Sequence, residues 1–171
     1  MIGGTGDDDM TGGNLGDVMQ DPSGGNDTMR GGDGGDTLVD TLGFNALFGG
    51  NGNDLLSDGS IDATLLDGGN DNDTLFSSGG NDTLFGSDGN DVLEDQSGLD
   101  FDVFTGGNGA DIFVYRLTND GGAATTVTDF QDGIDLIGIR FANEAFGFLE
   151  VATVGADAVV TFTGGLPNSL P

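Results

Sequence analysis

The chain has 171 residues, 30 of them acidic against three arginines (Arg30, Arg116 and Arg140) and no lysine, for a net charge of −27. That sign argues against a nucleic-acid partner and against attraction to anionic membranes, and no apolar run reaches the length needed for membrane insertion. With no cysteine and no histidine, disulfides and the usual zinc, copper and haem ligands are missing, which leaves hard cations that bind through oxygen.

Between Gly3 and Val114 one nine-residue pattern recurs twelve times: a glycine-rich turn, an acidic residue, then a large apolar residue. Gly31-Gly32-Asp33-Gly34-Gly35-Asp36-Thr37-Leu38-Val39 is the clearest copy, followed by Gly49 to Ser57 and Gly106 to Val114. Self-similarity at a fixed period is the signature of a solenoid. The eighth position reads Met10, Met19, Met29, Leu38, Leu47, Leu56, Leu65, Leu75, Leu84, Leu93, Phe104 and Phe113. A unit with one obligatory apolar site is too short for a helix pair but suits a short strand and a tight turn, because glycine reaches positive φ without steric cost. Two units then form one coil. Six coils stacked at the inter-strand spacing make a flattened rod about 30 Å long, an all-β parallel β-roll with a thin apolar ladder between two sheets.

The sixth position carries the acid: Asp8, Asp17, Asp27, Asp36, Asn45, Asp54, Ala63, Asp73, Asp82, Asp91, Asp102 and Asp111, with insertions before Asp27, Asp73 and Asp102. Alternate repeats place their turns on the same edge of the rod. One edge is intact, stacking Asp17, Asp36, Asp54, Asp73, Asp91 and Asp111 behind their glycine turns. The other degrades in the middle, where Asp40-Thr41-Leu42-Gly43 and Asp58-Gly59-Ser60-Ile61 replace the glycines; only its Asp8/Asp27 and Asp82/Asp102 gaps look competent. Stacked carboxylates about 5 Å apart repel unless a cation lies between them, and carboxylates with turn carbonyls suit calcium's flexible six to eight oxygen ligands better than magnesium's octahedron. This predicts about seven calcium ions in the repeats. It also predicts that the bare polypeptide is largely unfolded, since so much like charge opposes compaction.

A second feature lies near the degraded edge. Phe48, Leu66 and Phe85 take the ninth position of same-side repeats and are expected to point outward as an apolar stripe, a contact surface for self-association or adhesion. Beyond the repeats the character changes. Of the 35 glycines, 27 precede residue 115, whereas eight of the twelve phenylalanines follow residue 100. We therefore divide the chain into a repeat segment, 1–114, and a β-rich capping segment, 115–171, in which Thr126-Val127-Thr128 and the run Ala158 to Phe162 read as strands. A cap is required because the last coil otherwise leaves an open sheet edge, and Asp129 with Asp132 is a candidate for a further ion.

The pattern Gly-Gly-x-Gly-x-Asp-x-apolar-x resembles the RTX nonapeptide repeats of secreted bacterial toxins, proteases, lipases and alginate epimerases. Gly109 to Tyr115 followed by Val127 to Ile137 is similar to the cap after the roll in serralysin-like proteins. The resemblance implies a parallel β-roll that folds on extracellular calcium, with turn carbonyls and the sixth-position aspartates as ligands. Carried over by position, the implied intact-edge ligands are Asp17; Gly31, Asp33 and Asp36; Gly49, Asn51 and Asp54; Gly68, Asn70 and Asp73; Gly86, Asp88 and Asp91; and Gly106, Asn108 and Asp111. Asp8, Asp27, Asp82 and Asp102 follow on the other edge.

No catalytic constellation is present: there is no histidine, no cysteine and no Gly-x-Ser-x-Gly. The expected function is a non-enzymatic, secreted calcium-binding module for folding, stability and type I secretion, free-standing or within a larger parent protein. The alternative is a calcium-rigidified adhesion or self-assembling unit. The start lacks a cleavable signal pattern, and Leu166 to Pro171 lacks the acidic-apolar ending expected of an export signal.

Overall fold

The computed structural model describes residues 1–117, 125–131, 133–141, 148–154 and 157–163; Asp132 and the ending from Leu166 lie outside them. Twelve short strands alternate between two sheets: β1 (Asp9–Gly13), β2 (Val18–Asp21), β3 (Thr28–Asp33), β4 (Thr37–Asp40), β5 (Ala46–Asn51), β6 (Leu55–Asp58), β7 (Leu65–Asn70), β8 (Thr74–Ser77), β9 (Thr83–Asp88), β10 (Val92–Asp95), β11 (Val103–Asn108) and β12 (Ile112–Leu117). Four more follow: β13 (Thr126–Val127), β14 (Leu136–Phe141), β15 (Phe148–Val154) and β16 (Asp157–Thr163). The odd strands from β1 to β13 form one parallel sheet, which β16 and β15 extend, and the even strands from β2 to β14 form the other. The result is an all-β parallel β-solenoid of about six coils.

Alternation inside each strand explains the architecture. In β4, β6 and β8 the second and fourth residues are buried and the first and third only partly so, the period-two pattern of a sheet with one inward face. The core is a ladder one side chain wide: Met10, Met19, Met29, Leu38, Leu47, Leu56, Leu66, Leu75, Leu84, Leu93, Phe104 and Phe113, continued by Tyr115 and Val127. Each fully buried leucine contributes about 1.5–3 kcal/mol. Because neighbours in this ladder are identical or similar in size, the strands stack in register without bulges.

One coil departs from the predicted register. Leu66, not Leu65, is the inward residue, fully buried and paired in the sheet with Leu47 and Leu84. The sixth position of that repeat is accordingly Thr64 rather than Ala63: Thr64 is buried, and its N–H donates to Oδ1 of Asp82 at 2.8 Å. The extra residue belongs to the turn between β6 and β7, one repeat earlier than the expected insertion before Asp73. It follows that Leu66 cannot belong to an outward stripe. Asp67 stands between Phe48 and Phe85 on the outer face, and the Arg30 guanidinium lies 5.7 Å from the centre of the Phe48 ring. The row is mixed, charged and aromatic by turns.

At the C-terminal end the same two sheets continue. β14 pairs in parallel with β12 over six residues, from Ile112 with Leu136 to Leu117 with Phe141, and β13 pairs with β11. The antiparallel β16 then covers β13, and β15 covers β16. Phe130 and Ile137 pack against the end of the ladder. Asp129 accepts from the N–H groups of Gly106 and Gly107 (2.9 and 2.7 Å), satisfying the glycine pair of the last full coil.

Candidate metal centre

On the first edge, where the chain passes from the odd-strand sheet to the even-strand sheet, the aspartates form one continuous ladder. The N–H of Asp17 donates to Oδ1 of Asp36 (2.6 Å), Asp36 to Asp54 (2.7 Å), Asp54 to Asp73 (2.8 Å), Asp73 to Asp91 (2.8 Å), Asp91 to Asp111 (2.9 Å) and Asp111 to Asp135 (3.0 Å). One oxygen of each carboxylate is thereby committed to the neighbouring coil. The other, Oδ2 of Asp36, Asp54, Asp73, Asp91 and Asp111, is buried without a partner. An orphaned carboxylate oxygen in a dry site is costly, and five in one column call for a shared solution.

What lies in front of those oxygens is backbone. A Cβ placed on Gly86 meets Asp91 Oδ2 at 2.5 Å and the Gly106 carbonyl oxygen of the next coil at 2.6 Å; Gly31, Gly49, Gly68 and Gly106 also face the Oδ2 of the aspartate five residues on. Glycine is required there because a carboxylate oxygen and, between coils, a carbonyl oxygen converge on the space a side chain would fill. At Gly32 and Gly50, in position two, the carbonyl of the preceding coil crowds the Cβ position and the backbone adds a second demand, with φ of +113° and +115°. Ser87 occupies the same position with φ of +82°, so the turn imposes this conformation even on a residue that resists it.

By itself, this stack of carboxylates is electrostatically unfavourable. Burial pushes Asp54 up to about 6, Asp73 to about 7 and Asp91 to about 6, against an ordinary value of 3.8, and neighbouring carboxylates add to the rise. Asp36 and Asp111 are raised for the same leading reason. No arginine reaches this column, and a desolvated row of ionised carboxylates needs a cation. The donor set, carboxylate and carbonyl oxygens only, fits a hard ion of calcium's flexibility.

The third-position residues sit differently. Asp33, Asn51, Asn70, Asp88 and Asn108 are exposed, and their side chains zip to one another outside the roll: Asn51 Nδ2 donates to Asp33 Oδ1 and Asn70 Nδ2 to Asn51 Oδ1 (each 2.6 Å), and Asn108 Nδ2 to Asp88 Oδ1 (2.7 Å). At the fifth position Asn53, Asn72 and Asn90 each accept from the backbone of the following coil. These amide ladders hold the turns in register while the aspartates face the gaps.

The second edge is chemically distinct. Asp8 donates its N–H to Asp27 Oδ1 (2.7 Å), Asp27 to Asn45 Oδ1 (2.9 Å), Thr64 to Asp82 Oδ1 (2.8 Å) and Asp82 to Asp102 Oδ1 (2.9 Å). The ladder breaks between Asn45 and Thr64. Burial raises Asp82 to about 8 and Asp102 to about 7.

Two groups of site residues escaped the sequence reading. Asp135 extends the first column by one coil, and Gly133-Ile134-Asp135-Leu136-Ile137 carries the repeat's own signal of glycine, acid and inward apolar residue two apart. Its second oxygen accepts from Gln131 N–H (2.7 Å), so it ends the column satisfied. On the second edge, Asp21, Asp40, Asp58 and Asp95 stand where the first edge has its leading glycine, and all four are buried. Their adjacency in sequence to ordinary turn residues gave no sign of this.

The sequence profile of the RTX calcium-binding nonapeptide repeat matches the chain in four copies, over residues 23–38, 30–59, 58–93 and 96–121, more than half of its length. No curated protein matches it. The repeats bind calcium, and the chain belongs to the RTX calcium-binding nonapeptide-repeat family.

Proposed function

We propose that the chain is a non-enzymatic module that orders on meeting extracellular calcium and serves the folding, stability and type I secretion of a secreted bacterial protein. The observation that carries this reading is the column of buried, partnerless Oδ2 atoms on the first edge, in a molecule of net charge −27. Without a cation those carboxylates repel one another and the compact state is disfavoured. With calcium in the gaps, each coil is joined to the next through Asp17, Asp36, Asp54, Asp73, Asp91 and Asp111 and the carbonyls of their glycine turns. A chain unfolded in a calcium-poor cytoplasm and ordered outside suits passage through an export channel. Residues 115–171 act as the cap that closes the last coil.

Far-UV circular dichroism of the full chain tests this, first in chelator and then on adding calcium, with ions counted by isothermal calorimetry. We expect a disordered spectrum that converts to β with uptake of about seven ions. An ordered β spectrum that persists in chelator refutes it.

A further inference from the structure

The second edge holds carboxylates that the nonapeptide pattern does not explain. Each even strand from β2 to β6 ends in an aspartate, Asp21, Asp40 and Asp58, stacked in register and almost fully buried. One oxygen of each makes a local turn bond, Asp21 Oδ1 accepting from Ser23 N–H (2.9 Å) and Asp40 Oδ1 from Thr41 N–H (2.7 Å). The other, Oδ2 of Asp21 and of Asp40, is buried without a partner.

At the N-terminal end of this column, Asp21 meets the sixth-position pair. One carboxylate oxygen from each of Asp8, Asp21 and Asp27 lies within 4.8 Å of the others. Oδ2 of Asp27 is also buried and partnerless. Two oxygens on opposite sides of a calcium ion, each at about 2.4 Å, are separated by about that distance. The space is also shaped for a side chain on this edge alone: the Asp21 carboxylate fills the position that a Cβ on Gly3 would take. On the first edge the equivalent residues are glycines, whose Cβ positions are blocked by the sixth-position carboxylates. Arg30 does not neutralise the group, since its guanidinium pairs with Asp9 on the outer face.

We propose that Asp21 joins the sixth-position pair Asp8 and Asp27 as a third carboxylate ligand, so that this gap holds its hard divalent cation with one more carboxylate than a first-edge gap, where a glycine stands in place of Asp21. Asp40, the next residue of the column, adds negative charge from the coil below. The inference rests on the calcium reading above for the Asp8/Asp27 gap and goes beyond it in the role of Asp21, which the nonapeptide pattern does not assign. More ligand charge makes this site bind more tightly than those of the first edge.

The test is calcium titration of the full chain by isothermal calorimetry, comparing wild type with Asp21→Asn, Asp8→Asn and the first-edge variant Asp54→Asn. Asp21→Asn and Asp8→Asn are each expected to remove the tightest step and lower the count by about one ion per chain, leaving the calcium-induced β spectrum in place. Asp8 is half-buried in the outermost coil, so its replacement keeps the test open should Asp21→Asn fail to fold. An unchanged tight step and unchanged count in Asp8→Asn overturn the proposal, even while Asp54→Asn loses ions. Absence of calcium uptake by the wild type overturns the broader reading instead.

Discussion

Replacing Asp54 by asparagine separates metal ligation from every other role of that residue. Asparagine keeps an Oδ1 that accepts the Asp36 N–H (2.7 Å) and a backbone N–H that donates to Asp73 (2.8 Å), but puts an NH2 group where the partnerless Oδ2 stood. An ion held at a free concentration 100 times its dissociation constant stabilises the folded state by about 2.7 kcal/mol. Asp54 borders two gaps, toward Asp36 and toward Asp73, so the variant is expected to lose between about 2.7 and about 5.4 kcal/mol at that calcium level. For a chain of this size the loss lowers the melting temperature by roughly 5–20 °C. Under sub-saturating calcium the deficit shrinks, and as calcium is withdrawn its sign reverses, because the substitution removes a buried charge that nothing neutralises. Differential scanning calorimetry across a calcium series measures both limits. An equal deficit at every calcium concentration refutes the argument, since it assigns the loss to packing.

Leu66→Ala is expected to cost about 2–5 kcal/mol and Leu65→Ala no more than about 1 kcal/mol, a contrast read by thermal melts in calcium that checks the shifted register. Gly86→Ala places a methyl group against Asp91 Oδ2 and the Gly106 carbonyl, costing about 1–3 kcal/mol and an ion by calorimetry, whereas Gly13→Ala enters open space and stays within about 0.5 kcal/mol. Acidification provides a fourth test, on the metal-free chain. Asp54, Asp73 and Asp91 are raised from 3.8 to about 6 or 7 in the folded state, so the folded form binds protons more tightly. Their contribution to stability is full below 3.8 and is lost as pH rises through about 6 to 7. Circular dichroism in chelator is therefore expected to show more β structure near pH 4 than near pH 8, a difference that saturating calcium removes at the upper end.

The repeat made the coil legible because one period fixes two things at once: where the chain turns and which residue faces in. Leu38, Leu56 and Phe113 were placed correctly for that reason, and so were the aspartates of the first edge. From Asp58 to Ala63 the register is illegible, because the turn keeps only Gly59 of its glycines and counting forward from Asp54 has no landmark. Counting backward from Gly68-Gly69 resolves it, since the inward residue stands two before the glycine pair in Met10, Met29, Leu47 and Phe104, and by the same measure in Leu66. The physical cause is that the strand between inward residue and glycine pair has a fixed length, whereas the preceding turn absorbs insertions. The buried Asp21, Asp40 and Asp58 were illegible on other grounds. A strand-end aspartate beside a turn reads as a solvated cap, and only the stacking of coils takes one of its oxygens away from water.

The hydrogen-bonded ladder of the first edge has a grain. Every aspartate amide is answered by a carboxylate further along the chain, never by one before it, so the run from Asp17 is anchored at Asp135. Trimming coils from the front leaves each survivor's acceptor intact. Trimming from the rear orphans an amide at every cut, so the two ends of the rod are chemically unlike: one presents spare acceptors and the other spare donors.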